Sequence, residues 1–267
     1  MLRHAPFFVT ARPMFRTLRI FVLLFILATV AVSTYRAKAR ATDWQSTLQV
    51  VVYPINGDGS RTAEQYISRI TDQTFASIQS FIERESVRHG MERIRPVDIR
   101  VAPALPERPP SAPATDNILS IMMWSLETRY WAWQNDHYAG PRPNIRLFVS
   151  YFDGQQSFGL DNSVGLEKGQ MAFVNAFALR DMTETNNVII AHEMLHTLGA
   201  TDKYDPATAL PVPPDGFAEP DRSPLYPQEK AEIMGGRIPR SPSEADIPPS
   251  LAYAMIGPKT AAEIGWR

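Results

Sequence analysis

The sequence contains no cysteine among its 267 residues. Disulfide bonds, thiol catalysis and a thiolate that blocks a metal ion are therefore impossible. Any metal ion must be bound by nitrogen and oxygen ligands. The apolar content of 44% is ordinary for a globular protein, so a proper hydrophobic core is expected. The length is sufficient for one sizeable domain or two small ones.

Acidic residues are absent from residues 1–40, which contain seven lysines and arginines. The rest of the chain carries 20 basic and 28 acidic residues. A body with this negative balance is a poor candidate for binding nucleic acid, so we expect no nucleic-acid partner. The positive charge of the N-terminal segment needs a different explanation.

The only long apolar run lies in that basic segment. Between Ile20 and Val32 only Thr29 is polar, and arginine or lysine residues lie on both sides. The run is at the short end for a membrane span of about 17–25 residues. It is slightly long for a signal-peptide core of about 7–15 residues. An apolar surface on all sides at the N-terminus argues against a helix buried in a globular core.

This pattern predicts a division of the chain into four parts. Residues 1–17 are expected to be a cytoplasmic basic segment, 18–34 a transmembrane signal anchor, 35–46 a linker, and 47–267 the folded domain. A cleaved signal peptide is the alternative for residues 18–34. The domain is then either membrane-anchored and extracytoplasmic or, after cleavage, secreted or periplasmic. The membrane is accordingly an expected partner through the N-terminal segment.

Residues 47–200 show alternating strand and helix patterns. Strands are predicted at 48–55, 96–102, 144–152 and 170–179, and helices at 60–89, 116–136 and 181–198. The intervening segments 103–114 and 153–169 are predicted loops. The order β-α-β-α-β-β-α predicts an α+β fold with a mixed sheet and helices packed on it. The aromatic residues of the 116–136 helix are more typical of core packing than of a ligand groove; they are Trp124, Tyr130, Trp131 and Trp133.

The chain changes character after Asp202. Residues 203–250 contain 11 of the 23 prolines and show little periodicity. Large apolar residues in this part, such as Phe217 and Ile233, favour an ordered but irregular subdomain over a disordered tail. Pro258 begins a pattern typical of a short C-terminal helix.

Two histidines four residues apart stand at the end of the third predicted helix. His192 and His196 lie on one face of such a helix and can bind a single metal ion. Glu193 lies near enough to hold a metal-bound water without ligating the metal. With five histidines in the chain, this pattern arises by chance on the order of 1% of the time. A buried core histidine does not explain two histidines and a glutamate in register on one helix.

The third metal ligand is predicted to be Asp202. Gly199 ends the helix and lets the chain turn sharply, which can bring Asp202 back toward the two histidines. An ordinary turn aspartate is the alternative interpretation, and Asp205 is a nearby competitor. A glutamate from a later helix is another alternative, for which Glu229 and Glu232 are the candidates.

The pattern His192-Glu193-x-x-His196-x-x-Gly199-x-x-Asp202, followed later by Glu232-Ile233-Met234-Gly235, resembles a metzincin metallopeptidase. Aspartate at the third position is similar to the snapalysin-type peptidases. The resemblance implies a zincin fold, with an upper subdomain at 47–200 and an irregular lower subdomain at 201–267. It also implies that Met234 belongs to a methionine turn, and that the strand before the metal helix is a substrate-binding edge strand.

The function predicted from these residues is a zinc-dependent peptidase acting on a protein or peptide substrate. His192, His196 and Asp202 would hold Zn²⁺, and Glu193 would act as general base toward a metal-activated water. Tyr204 and Tyr226 are candidates to stabilise an oxyanion, and the sequence selects neither. One alternative is a membrane-tethered binding or scaffold protein of zincin fold without turnover. Another is a cell-wall peptide amidase, which shares the chemistry and differs in substrate.

Overall fold

A computed structural model describes residues 17–25, 28–29, 32, 42–91, 95–111, 113, 117–154, 163–166 and 170–266. Most of the predicted cytoplasmic segment lies outside the described residues, and the predicted anchor and linker lie partly outside them. Within the described parts of the chain, no helix is both long and apolar enough to span a bilayer.

A five-stranded sheet forms the centre of the domain. Its strands are β1 (Leu48–Asn56), β2 (Val97–Val101), β3 (Ile145–Phe152), β4 (Val164–Leu166) and β5 (Met171–Phe177). They lie in the order β2-β1-β3-β5-β4. All neighbours are parallel except β4, which runs antiparallel to β5. The predicted α+β fold with a mixed sheet is confirmed.

From residue 48 onward, the described part of the chain forms the helices α1 (Arg61–Ile67), α2 (Ala76–Arg88), α3 (Ile118–Asn135), α4 (Thr183–Thr197) and α5 (Pro258–Glu263). Alternate residues of β1 and β3 face two separate apolar clusters, as the two-residue period of a strand requires. The larger cluster joins the sheet to α2 and α4, and the smaller one joins it to α3. A central sheet covered on both faces explains why β1 and β3 are almost continuously apolar.

The prediction of a single helix at 60–89 is wrong in one respect, because the helix is interrupted near Ile70. Helix α1 ends at Ile67, a 3₁₀ turn spans Asp72–Phe75, and α2 follows. The Thr74 hydroxyl accepts a hydrogen bond from the Thr71 backbone N–H at 3.1 Å. Threonine side chains can replace helical backbone hydrogen bonds in this way, and apolar periodicity does not reveal it.

The aromatic residues of α3 are expected to pack in the core, but only some of them do. Trp131 is buried and packs edge-on against Phe148, with ring centroids 5.2 Å apart. Trp133 and Tyr130 are 73% and 58% exposed. Helix α3 therefore covers one face of the sheet with a narrow contact, and its outer surface remains apolar.

The strand that precedes the metal helix is not at the edge of the sheet, contrary to the expectation. Strand β5 lies between β3 and β4. The edge position belongs to β4, which is formed within the segment predicted to be a loop at 153–169. A strand of three residues is too short for its alternation to be recognised in a sequence.

The C-terminal part is irregular and ordered, as predicted. Two small sheets form from β6 (Ala231–Glu232) with β9 (Ala254–Met255) and from β7 (Ile238–Ser241) with β8 (Glu244–Asp246). The predicted short C-terminal helix is present as α5. Trp44, within the segment predicted as a linker, is buried and donates its indole N–H to the Ile264 carbonyl at 2.7 Å. The packed domain therefore includes Trp44.

Candidate metal centre

Helix α4 carries the candidate site and packs mainly against β5 and β4 of the sheet. A 3₁₀ turn at Arg180–Met182 precedes it, so the helix starts two residues later than the sequence predicts. The buried Asn186 side chain bonds both backbone groups of Phe177, at 2.9 and 3.2 Å, and so attaches the helix to the end of β5. Gly199 ends this region with φ +106°, a conformation that favours glycine.

Three ligand atoms converge at the C-terminal end of α4. The Nε2 atoms of His192 and His196 are 3.1 Å apart. Asp202 Oδ1 lies 3.2 Å from Nε2 of His192 and 3.1 Å from Nε2 of His196. The turn at Gly199 thus brings Asp202 to both histidines, where the sequence expected it.

This triangle fits a tetrahedral metal ion with nitrogen and oxygen ligands. Ligands at about 2.0–2.1 Å from a zinc ion in tetrahedral geometry are about 3.3 Å from one another. The observed separations of 3.1 to 3.2 Å are close to that value. Two imidazoles and one carboxylate also match the donor sets of catalytic zinc sites, which leave a fourth position open. The residues present therefore fit Zn²⁺.

Backbone carbonyls orient both imidazole rings. His192 Nδ1 lies 2.9 Å from the Ile233 carbonyl oxygen, and His196 Nδ1 lies 2.8 Å from the Ala200 carbonyl oxygen. A carbonyl can only accept, so each Nδ1 carries a proton, and in the neutral ring each Nε2 lone pair is then available to a metal ion at the shared centre. Such contacts fix the ring orientation and raise the basicity of a metal-binding histidine.

Glu193 is buried beside the two histidines. One of its carboxylate oxygens and one nitrogen of each imidazole all lie within 4.8 Å of one another. Burying a carboxylate costs free energy unless it is hydrogen-bonded or paired with a positive charge. The position suits a proton acceptor next to the site, as the sequence predicts for Glu193.

Electrostatic interactions within the cluster shift several pKa values. Burial lowers the pKa of His196, but its hydrogen bonds to Asp202 and Ala200 outweigh that effect, and the net shift is upward. Burial raises the pKa of Asp202, and the hydrogen bonds from the two histidines reverse this and hold it well below its usual range. Asp202 is therefore an anion at neutral pH, as a metal ligand must be.

Of the two tyrosine candidates, Tyr204 lies beside the site. Its ring centroid is 6.4 Å from that of His192. Burial, followed by the negative charge of Asp202 and a hydrogen bond to its carboxylate, raises the pKa of Tyr204, so the phenol keeps its proton. Tyr226 instead packs edge-on against Phe217 with ring centroids 5.6 Å apart.

The competing carboxylates have other contacts. Asp205 accepts a local hydrogen bond from the Ala207 backbone N–H at 2.8 Å. Glu229 forms an ion pair with Arg222 at 3.0 Å. Glu232 is fully buried beneath the turn that follows it, where four donors surround it. Only Asp202, of the four candidates, lies within 3.2 Å of both histidines.

Glu232 organises the turn at Ile233–Gly236. Its Oε2 atom accepts hydrogen bonds from the backbone N–H groups of Met234 and Gly235, at 2.7 and 2.9 Å. Its Oε1 atom accepts from the Gly257 N–H at 3.0 Å and the Thr260 hydroxyl at 2.6 Å. The same turn provides the Ile233 carbonyl that orients His192. The sequence suggests Glu232 only as a metal ligand, and no local pattern reveals this supporting position.

The chain matches no protein-family model and no curated protein. Among solved structures, it is similar to wild-type OgpA from Akkermansia muciniphila, with 14% sequence identity and a TM-score of 0.36. That match covers 82% of this chain and 60% of OgpA. A second match, described as the structure of a chaperone–substrate complex, has 13% identity and a TM-score of 0.42, and covers 82% of this chain and 33% of the other. The chain thus spans less than two thirds of the length of either structure.

Proposed function

We propose that the protein is a zinc-dependent peptidase of metzincin type. The observation that carries the proposal is the convergence of His192, His196 and Asp202 beside the buried Glu193. When bound, a zinc ion supplies the Lewis acidity that activates water at neutral pH and polarises a carbonyl oxygen. His192, His196 and Asp202 would hold that ion.

The protein's own groups would carry the proton transfers. Glu193 would accept the proton of the attacking water and then pass it to the leaving amine. The Tyr204 phenol, kept neutral by its surroundings, would donate a hydrogen bond to the carbonyl oxygen as negative charge develops there. These roles divide the reaction between an acid–base group on α4 and a donor on the segment after Asp202.

The sheet supports a peptide as the substrate. Strand β4 is the last strand of the sheet among the described residues, and it lies against α4. An extended peptide can add to such an edge through main-chain hydrogen bonds, which do not depend on its sequence. A substrate added there would run beside the helix that carries the two histidines. The basic and apolar N-terminal segment supports the further proposal that the domain acts outside the cytoplasm, on the membrane or after release from it.

The test is cleavage of a denatured generic protein by the purified chain, with and without a zinc chelator. Glu193→Gln keeps the shape of the side chain and removes the proton acceptor. We expect the rate to fall by about 10²–10⁴-fold, with zinc content unchanged. His196→Ala should lose the metal as well.

Glu184→Gln is the matched control, because it changes a glutamate in the first turn of the same helix. It should leave both activity and zinc content unchanged. Full activity of Glu193→Gln would refute the assigned role. Zinc binding without any cleavage of protein would favour a zincin-fold binding protein. Cleavage confined to cell-wall peptides would favour a peptide amidase.

A further inference from the structure

One carboxylate on α5 holds both neighbours of the predicted ligand Asp202. Glu263 Oε2 accepts a hydrogen bond from the Thr201 backbone N–H at 3.0 Å, and Oε1 accepts one from the Thr201 hydroxyl at 2.8 Å. The Lys203 ammonium group donates to Glu263 Oε2 at 2.8 Å. Residues on either side of Asp202 are thus bound to a single side chain about 60 positions later in the chain.

Every polar group of Lys203 forms a hydrogen bond. Its ammonium group also donates to the Thr201 carbonyl at 2.8 Å, which closes a small ring around Asp202. Its backbone N–H donates to the Met234 carbonyl at 2.9 Å, and its own carbonyl accepts from the Val212 N–H at 2.8 Å. The Lys203 side chain is only 4% exposed. A lysine buried to this degree needs a charged partner, and Glu263 provides it.

The Asp202 side chain is much more exposed than those of Lys203 and the two histidines. Its side chain is 43% exposed, whereas those of His192 and His196 are 12% and 17% exposed. Packing therefore fixes the histidines much more firmly than it fixes the aspartate. The position of the Asp202 carboxylate depends on the backbone from Thr201 to Lys203, which the contacts with Glu263 immobilise.

We propose that Lys203 and Glu263 are positioning residues that hold Asp202 in place for the metal ion. Helix α5 thereby controls metal affinity although none of its residues reaches the site. The inference rests on the proposed metal site and adds to it a second layer of residues. Loss of an orienting contact of this kind typically weakens metal binding by about 10–100-fold.

The experiment measures zinc affinity of the full chain by competition with a chromophoric chelator, together with the absorption spectrum of the Co²⁺ form. The variants are Glu263→Gln and Lys203→Met, which change the local charge in opposite directions. A simple electrostatic effect would weaken cation binding in the first variant and strengthen it in the second. Positioning predicts about 10–100-fold weaker binding in both.

A double-mutant comparison separates positioning from a general loss of structure. In the Asp202→Ala background, Glu263→Gln should change zinc affinity by less than about twofold, because the ligand it positions is gone. Lys259→Met is the matched control, since Lys259 lies on the same helix and pairs with the surface residue Asp215 at 3.0 Å. It should bind zinc as the unmodified protein does.

Thr201→Val is the milder variant if Glu263→Gln does not fold, because it removes only one hydroxyl contact to Glu263. It should still weaken zinc binding severalfold and alter the Co²⁺ spectrum. Unchanged zinc affinity in these variants, with the unmodified protein binding zinc, would overturn the positioning role and leave the metal site intact. Failure of the unmodified protein to bind zinc would overturn both.

Discussion

Replacing Glu232 by glutamine tests whether one buried carboxylate holds the turn behind the metal helix. The carboxylate accepts four hydrogen bonds, two at each oxygen. An amide retains one accepting oxygen, and its NH₂ group must face two of the four donors. The Thr260 hydroxyl can rotate and accept, so the best arrangement still leaves the Gly257 N–H without an acceptor.

The expected loss of stability follows from this count. One buried N–H without an acceptor costs about 1–3 kcal/mol, and the remaining bonds weaken because their acceptor is no longer charged. Together these effects lower the free energy of unfolding by about 2–4 kcal/mol. For a domain of this size that corresponds to a Tm lower by about 5–15 °C.

The assay is urea unfolding followed by tryptophan fluorescence, at mildly alkaline pH to favour the ionised carboxylate. Glu229→Gln is the matched control, because Glu229 lies three residues earlier and its side chain is 71% exposed. The control should unfold at the urea concentration of the unmodified protein. If Glu232→Gln changed the unfolding free energy by less than about 0.5 kcal/mol, as surface substitutions do, the assigned role of Glu232 would be refuted.

Three further outcomes are expected. Tyr204→Phe should lower kcat by about 10²-fold in the zinc-loaded protein, and an unaltered kcat would remove Tyr204 from the proposed mechanism. Gly235→Ala should destabilise the domain by about 1–3 kcal/mol in urea unfolding, because the added Cβ would lie 2.4 Å from the Gly216 carbonyl oxygen. Burial raises the pKa of Glu263, but hydrogen bonds from Lys203 and Thr201 lower it overall. The stability that this group contributes is therefore present above the ordinary pKa of 4.5 and is lost as pH falls through the lower folded value. The difference in unfolding free energy between the unmodified protein and Glu263→Gln should shrink below pH 4.5, and a constant difference would contradict this account.

The parts of the site that depend on local spacing could be predicted from the sequence. His192, Glu193 and His196 share one helical turn, and Gly199 lies where a left-handed residue is needed to redirect the chain. The sequence also predicted that Asp202 returns to the histidines, which the distances show. Helical periodicity and turn chemistry act over a few residues, so they are visible without a structure.

The supporting contacts could not be predicted, because they join distant parts of the chain. The Ile233 carbonyl reaches His192 across 41 positions. Glu263 reaches Lys203 across 60 positions. Nothing in the residue types around Glu263 distinguishes it from an ordinary surface glutamate. Contacts of this kind arise from tertiary packing, to which local patterns are blind.

The errors in the fold have a similar origin. The Thr74 hydroxyl accepts a hydrogen bond from the Thr71 backbone N–H where the chain interrupts a helix that apolar periodicity predicts as continuous. Strand β4 is too short to show alternation, and its presence moves β5 from the edge to the interior of the sheet. The apolar residues of α3 suggested core packing, but only the side that includes Trp131 meets the sheet.

The Ile233 carbonyl couples metal binding to the packing of a region that contains no ligand. Because a bound ion favours the state in which His192 is correctly oriented, it must by linkage also favour the folded turn around Glu232. Amide hydrogen exchange in Ala231–Glu263 should therefore slow when zinc is added, although all three proposed ligands precede that region. Chelation would have the opposite effect and would open the C-terminal part to proteolysis before the sheet unfolds. Metal supply would then set the lifetime of the protein as well as its activity.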